Sequence, residues 1–168
     1  MNIANLLRMM VCALVLFPMG SGGQARLDLL HKVAPRFVRT DLSGRRVDLR
    51  QYRGKVVLLN FWATWCAPCQ AELPRFGVWQ KEYGEQGLVV LAVSMDDDVG
   101  PVRKAVRRLQ LDFPVMMGDA KLGSAYGGVL GLPVTYLIDR DGRIVARFKG
   151  ETDPVRMEDQ VRKLIHSQ

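Results

Sequence analysis

Residues 55–62, Lys-Val-Val-Leu-Leu-Asn-Phe-Trp, are an almost unbroken apolar run with no alternation of polar positions. A strand with one wet face alternates, so a run of this kind is expected to be buried on both faces in the middle of a sheet. Leu88 to Ser94 (Leu-Val-Val-Leu-Ala-Val-Ser) repeats the pattern, and Pro68 to Tyr83 between them reads as a helix ended by Gly84. Val99 to Leu109 follows Asp96-Asp97-Asp98 as a basic amphipathic helix with Pro101 in its first turn. Pro114 to Met117 suggests a short strand, and Lys121 to Tyr126 a short helix or turn. Val134 to Asp139 and Ile144 to Lys149 flank Arg140-Asp141-Gly142, a hairpin signal, and Asp153 to Ile165 closes the chain as a helix capped by Asp153 with Pro154 in its first turn. Upstream, Phe37 to Arg39 and Arg45 to Leu49 read as a small hairpin around Gly44. Strands alternating with helices, then a hairpin and a helix, imply an α/β layer structure around a mixed sheet.

Composition agrees with a single packed domain. Of 168 residues, 48% are hydrophobic and 24% charged, which excludes a disordered, collagen-like or low-complexity chain. Residues 1–25 read as an export signal: Arg8 is the positive flank, Met9 to Met19 the uncharged apolar run, and Ser21 to Ala25 the small-residue cleavage region. Extension of the run back to Leu6 gives the alternative of an uncleaved membrane anchor. The domain then spans residues 26–168, and Cys12, inside the apolar run, is a passenger.

Two cysteines remain, Cys66 and Cys69, in a compartment that permits disulfides. They must pair with each other or act as thiols. Charge is uneven: residues 26–55 carry nine basic and three acidic side chains, a net of +6, whereas residues 56–168 carry 14 of each. Such an excess either steers an acidic partner, touches an anionic membrane surface or is a solvated face. Basic and aromatic residues do not interleave, so nucleic acid is not an expected partner.

The chemistry centres on Trp65-Cys66-Ala67-Pro68-Cys69, where a buried strand turns into a helix. Backbone N–H groups at a helix start lack intrahelical partners and the macrodipole is positive there, which favours a thiolate at Cys66 and marks it as the attacking sulfur. Cys69 lies in the first helical turn, within reach of Cys66, as the resolving thiol. Pro68 fits that turn because its missing N–H would have been unpaired. The competing reading, half of a metal site, lacks a second cysteine or histidine pair: Met116-Met117, His31 and His166 have no spacing that completes a ligand set.

The string Asn60-Phe61-Trp62-Ala63-Thr64-Trp65-Cys66-Ala67-Pro68-Cys69-Gln70-Ala71-Glu72-Leu73-Pro74 closely resembles the active-site segment of thioredoxin-like proteins, specifically the exported TlpA/ResA-type thiol-disulfide oxidoreductases. Ala34 to Phe37, Asp41 to Gly44, Tyr52 to Leu59 and Gly131 to Asp139 extend the likeness over roughly residues 34–150. The resemblance implies a thioredoxin-like fold with an N-terminal β-hairpin and a central insertion. It implies that Cys66 is the nucleophile, Cys69 the buried resolving cysteine, Pro133 a cis-proline opposite the disulfide and Pro74 the kink of the active-site helix. Trp65, Leu132 and Pro133 are then expected to dock a partner, Trp65 through an exposed amphipathic surface. Trp62 on the strand is expected in the core.

Glu72, three residues after Cys69, falls near the resolving thiol by helical period, and the resemblance places a glutamate there close to both cysteines. A partly buried carboxylate at that point can take the Cys69 proton. Ordinary thioredoxins carry a buried aspartate six residues before the first cysteine; Asn60 stands here instead and cannot accept a proton, which leaves Glu72 as the substitute.

The expected function is therefore periplasmic thiol-disulfide exchange with protein partners, in the direction of reduction, with no metal or organic cofactor. A membrane electron donor and a role in cytochrome c maturation or copper-site assembly are implied by the resemblance alone. The alternatives are a disulfide-forming oxidant and a copper(I) chaperone using the same cysteines. A peroxidase would need the proline-rich Thr/Cys motif of peroxiredoxins, which the chain lacks.

Overall fold

The computed structural model describes residues 29–129 and 131–167. The expected export signal over residues 1–25, Cys12 included, lies outside the described residues. Strands β1 (Val38–Thr40) and β2 (Arg46–Asp48) form a two-stranded antiparallel hairpin. They are followed by β3 (Val56–Trp62), α1 (Ala67–Tyr83), β4 (Leu88–Ser94), α2 (Val99–Arg108), β5 (Val115–Met117), α3 (Ala120–Ala125), β6 (Val134–Ile138), β7 (Ile144–Lys149) and α4 (Pro154–His166). The five-stranded sheet has the order β5-β4-β3-β6-β7, with β3, β4 and β5 mutually parallel and β6 and β7 antiparallel to their neighbours. The apolar run forms the central strand β3, and all seven residues of that strand are buried.

The pleat of β3 divides the core into two layers. Val56, Leu58 and Trp62 pack with α1, α2 and α4 through Leu73, Phe76, Val102, Met157 and Val161. Val57, Leu59 and Phe61 face the other way, against Phe37, Val47, Leu122, Tyr126 and Tyr136. The N-terminal hairpin is thus a cover for the second face. It is fastened to the edge strand β5 by a bridge between Asp41 and Met116 and by the Leu42 N–H donating to the Val115 carbonyl at 2.8 Å. Between α2 and β6 the chain adds the short edge strand β5 and the helix α3.

Two local details differ from the sequence reading. Leu49, expected at the end of a strand, begins a 3₁₀ turn over Leu49–Tyr52, because the Asp48 carboxylate accepts the Arg50 N–H and caps a turn where a ladder would have continued. Gly84 does end α1, yet its backbone is right-handed (φ −59°). A Cβ there would strike the Gln80 carbonyl, so Gly84 serves close approach, and the left-handed residue of this turn is Gly87 (φ 105°).

Candidate active site

Three chain segments converge at one end of the sheet. β3 runs parallel to β4 and ends level with it, Trp62 opposite Ser94, while β6 is antiparallel and begins at that same end, with Val134 opposite Phe61. The loops leaving β3 and β4 and the loop entering β6 therefore meet there.

The first loop carries the cysteines. Cys66 is the N-cap of α1, and its Sγ accepts the Cys69 N–H at 3.3 Å. The two are joined as a disulfide with a Cα–Cα distance of 5.3 Å. Both cysteines are buried, but unequally: Cys66, at the positive end of the helix, is 5% exposed and Cys69 not at all. Trp65 beside it is 71% exposed, whereas Trp62 is buried in the core. Pro74 lies inside α1 as expected.

The second loop holds the first. The Asp96 carboxylate, just past β4, accepts the Thr64 N–H at 2.9 Å and the Thr64 hydroxyl at 2.5 Å, and also the Ser94 hydroxyl at 2.7 Å. Thr64 in turn offers its carbonyl to the Gln70 amide, and Gln70 accepts from Arg108 of α2. Neither Thr64 nor Asp96 stands out in the sequence, where Asp96 is one of three acids preceding a helix. The signal that would have found them is register: if two buried parallel strands end level at Trp62 and Ser94, the residues two further on face each other.

The third loop contains the cis peptide Leu132–Pro133. Leu132 is half-buried against the cluster that includes Cys66 and Cys69, and Pro133 is buried. Glu72, three residues after Cys69, is half-buried on α1. Burial pushes its carboxyl up from 4.5 to about 7, and a hydrogen bond from Asn60 acts in the opposite direction. The Asn60 amide donates to Glu72 Oε1 at 2.9 Å and to Thr135 Oγ1 at 2.8 Å. Thr135 is the other site residue that the sequence reading passed over. Among the described residues no group of three or more His, Cys, Asp or Glu side chains is placed to hold a metal ion. Of the basic segment, Arg39, Arg45, Arg46 and Arg50 are engaged in salt bridges with Asp119, Asp41 and Asp48.

The AhpC/TSA family profile matches residues 30–147. The chain belongs to the AhpC/TSA family. Within it, the chain is 37% identical over 133 residues to the thiol-disulfide oxidoreductase ResA of Bacillus thuringiensis subsp. konkukian, covering 79% of this chain and 77% of the relative. A ResA from Bacillus cereus strain ZK is 35% identical over 159 residues, covering 93% and 91%. Among solved structures, a Chlorobium tepidum protein assigned as the thiol:disulfide interchange protein DsbE superposes with a TM-score of 0.73 at 31% identity, covering 79% of this chain and 95% of its own. The thioredoxin domain of a Bacteroides vulgatus thiol-disulfide oxidoreductase gives 0.73 at 25% identity, covering 82% and 98%. This family member has the thioredoxin-like fold and is a thiol-disulfide oxidoreductase acting on protein thiols and disulfides.

Proposed function

We propose that the protein is a periplasmic reductase of disulfides in partner proteins, with Cys66 as nucleophile, Cys69 as resolving thiol and Glu72 as the proton acceptor for Cys69. The observation that supports this reading is the asymmetry of the pair: Cys66 caps the helix and keeps a small exposure of 5%, and Cys69 is fully buried in its first turn. In the reduced protein the Cys66 thiolate attacks one sulfur of a partner disulfide, forming a mixed disulfide and expelling a partner thiolate. Cys69, its proton passed to Glu72, then attacks the Cys66 sulfur and releases the second partner thiolate. Two electrons have moved from the Cys66–Cys69 dithiol to the partner, and the internal disulfide remains. No metal or organic cofactor takes part.

Docking falls to Trp65, the large apolar surface beside the reactive sulfur, and to the backbone around Leu132 and Pro133, where an extended partner segment can lie. A membrane electron donor returns the dithiol to its reduced form, and the substrates belong to cytochrome c maturation or copper-site assembly. The apolar segment near the N-terminus exports the chain, which is soluble after cleavage or stays anchored to the inner membrane facing the periplasm. Among the described residues no helix is long and apolar enough to cross a membrane.

Trapping tests the assignment. Cys69→Ser should accumulate mixed disulfides with a disulfide-bearing substrate, and Cys66→Ser far fewer; equal trapping would show the roles to be wrong. A reduction potential well below about −200 mV fixes the direction as reduction, and one near that of strong oxidants reverses it.

A further inference from the structure

The Asn60 side chain is completely buried on β3, and the pleat points it into the same layer as α1. It is in register with Thr135 on the neighbouring strand β6. Both hydrogens of its amide are used, one on Glu72 and one on Thr135, while Oδ1 has no hydrogen-bond partner among the described residues. A buried acceptor left unpaired is costly, so the amide is held in this orientation for its donors. An ionised aspartate, the residue ordinary thioredoxins place here, offers no donor and would set a second negative charge against Glu72. The carboxyl function has moved from the strand to the helix, and the strand position supplies what a buried carboxylate lacks.

We propose that Asn60 is a positioning residue for disulfide exchange: its amide fixes the Glu72 carboxyl, one helical turn after Cys69 on α1, and ties it to Thr135, two residues past the cis peptide of the docking loop. One side chain thereby connects the group that handles the resolving proton to the strand that begins at the partner-binding edge. This deepens, and rests on, the reading of Glu72 as proton acceptor.

The surroundings isolate the effect. On α1 the cysteines of this layer are joined as the disulfide and do not titrate in the oxidised protein, and further along lies Tyr83, whose hydroxyl donates to Glu158 of α4 at 2.7 Å. α2 contributes Val102 and Ala105, β7 Phe148, and α4 Met157, Val161 and Ile165. Burial raises the Glu72 carboxyl above its ordinary range, and the Asn60 bond opposes that rise.

Carbon-13 NMR of the Glu72 carboxyl through a pH titration of the full-length oxidised protein reads the bond directly. In Asn60→Val, which keeps a strand-forming side chain and loses the donor, the Glu72 midpoint should rise by about one to two pH units. An unchanged midpoint overturns the proposal. Thr135→Val removes one of the two acceptors that fix the amide and should raise the midpoint by less; no movement there overturns the connection to β6. Asn60→Asp, nearly isosteric, should convert the single Glu72 step into two coupled steps, and a single step at the wild-type position again overturns the proposal. Should Asn60→Val fail to fold, these last two variants decide. Failure of the underlying reading is seen elsewhere: if Glu72→Gln leaves both thiol titrations unchanged, Glu72 is not the proton acceptor, whereas the Asn60 measurement is made on the Glu72 carboxyl itself.

Discussion

Asp96 grips Thr64 by both its backbone N–H, at 2.9 Å, and its hydroxyl, at 2.5 Å. Thr64 is two residues before Cys66, so the orientation of Trp65 and Cys66 depends on a carboxylate contributed by the loop that follows β4. Hydrogen bonds to a charged acceptor contribute about 1.5–3 kcal/mol each, and leaving their donors unpaired costs more than the bond itself is worth. Asp96→Ala should therefore lower the stability of the oxidised protein by roughly 2–3 kcal/mol and slow mixed-disulfide formation. Urea unfolding and the rate of reaction with a model disulfide check the two effects; a variant matching wild type in both would make the clasp incidental.

Glu72 makes stability depend on pH with a definite sign. Its carboxyl is raised in the fold from 4.5 to about 7, so ionising it opposes folding, and the fold loses stability as pH rises from about 4.5 through 7. At about 1.4 kcal/mol per pH unit, that interval corresponds to at most about 3 kcal/mol. Glu72→Gln should be more stable relative to wild type at pH 8 than at pH 4 by up to that amount, as measured by urea unfolding of the oxidised forms. In the reduced protein the same substitution removes an anion beside the thiols, and thiolate absorbance should show both thiol pKa values lowered.

At the acid end the sign reverses. The Asp48 carboxylate, hydrogen-bonded by the Arg50 side chain and backbone, titrates at about 2 against an ordinary 3.8. Asp41 is held low as well: burial works to raise it, but hydrogen bonds from Ser43 and Arg45 outweigh that. Carboxylates of this kind stabilise above their ordinary range and lose that contribution as pH falls toward the lowered value. Stability should thus decline between about pH 4 and pH 2. In Asp48→Asn the decline should be shallower over that range, which acid titration followed by circular dichroism would reveal.

Trp65 offers the cleanest separation of binding from folding. At 71% exposed it has little packing to lose, so Trp65→Ala should leave stability within about 0.5 kcal/mol. Exchange with a protein disulfide should slow by about tenfold, the scale of a modest interface hot spot, while exchange with a small dithiol or disulfide changes little. Equal slowing toward both would mean that Trp65 acts on the sulfur itself.

Much of this was legible in the sequence because periodicity and chemistry coincided there. β3 and β4 announce themselves by unbroken apolar runs, and the Cys66 cap by a strand ending where a proline-containing helix starts. Glu72 was reached by counting along one helix. What escaped were relationships across strands: Asp96 with Thr64, and Thr135 with Asn60, depend on which strands are neighbours and in what register. A single chain does not print that information, since hydrophobic pattern fixes the face a residue points to and leaves its cross-strand partner open. The identity of Asn60 was noticed for what it cannot do, accept a proton, and its role as a double donor appeared only when both acceptors were in place.

The bond from the Cys69 amide to the sulfur of Cys66 gives the protein an internal gauge of its own electron count. The acceptor in that bond is a disulfide sulfur in one redox state and a thiol or thiolate in the other, so every turnover rewrites the hydrogen bond that closes the first turn of α1. Hydrogen exchange at that one amide would then follow the catalytic cycle from within the backbone, without a dye, a reporter thiol or a partner protein.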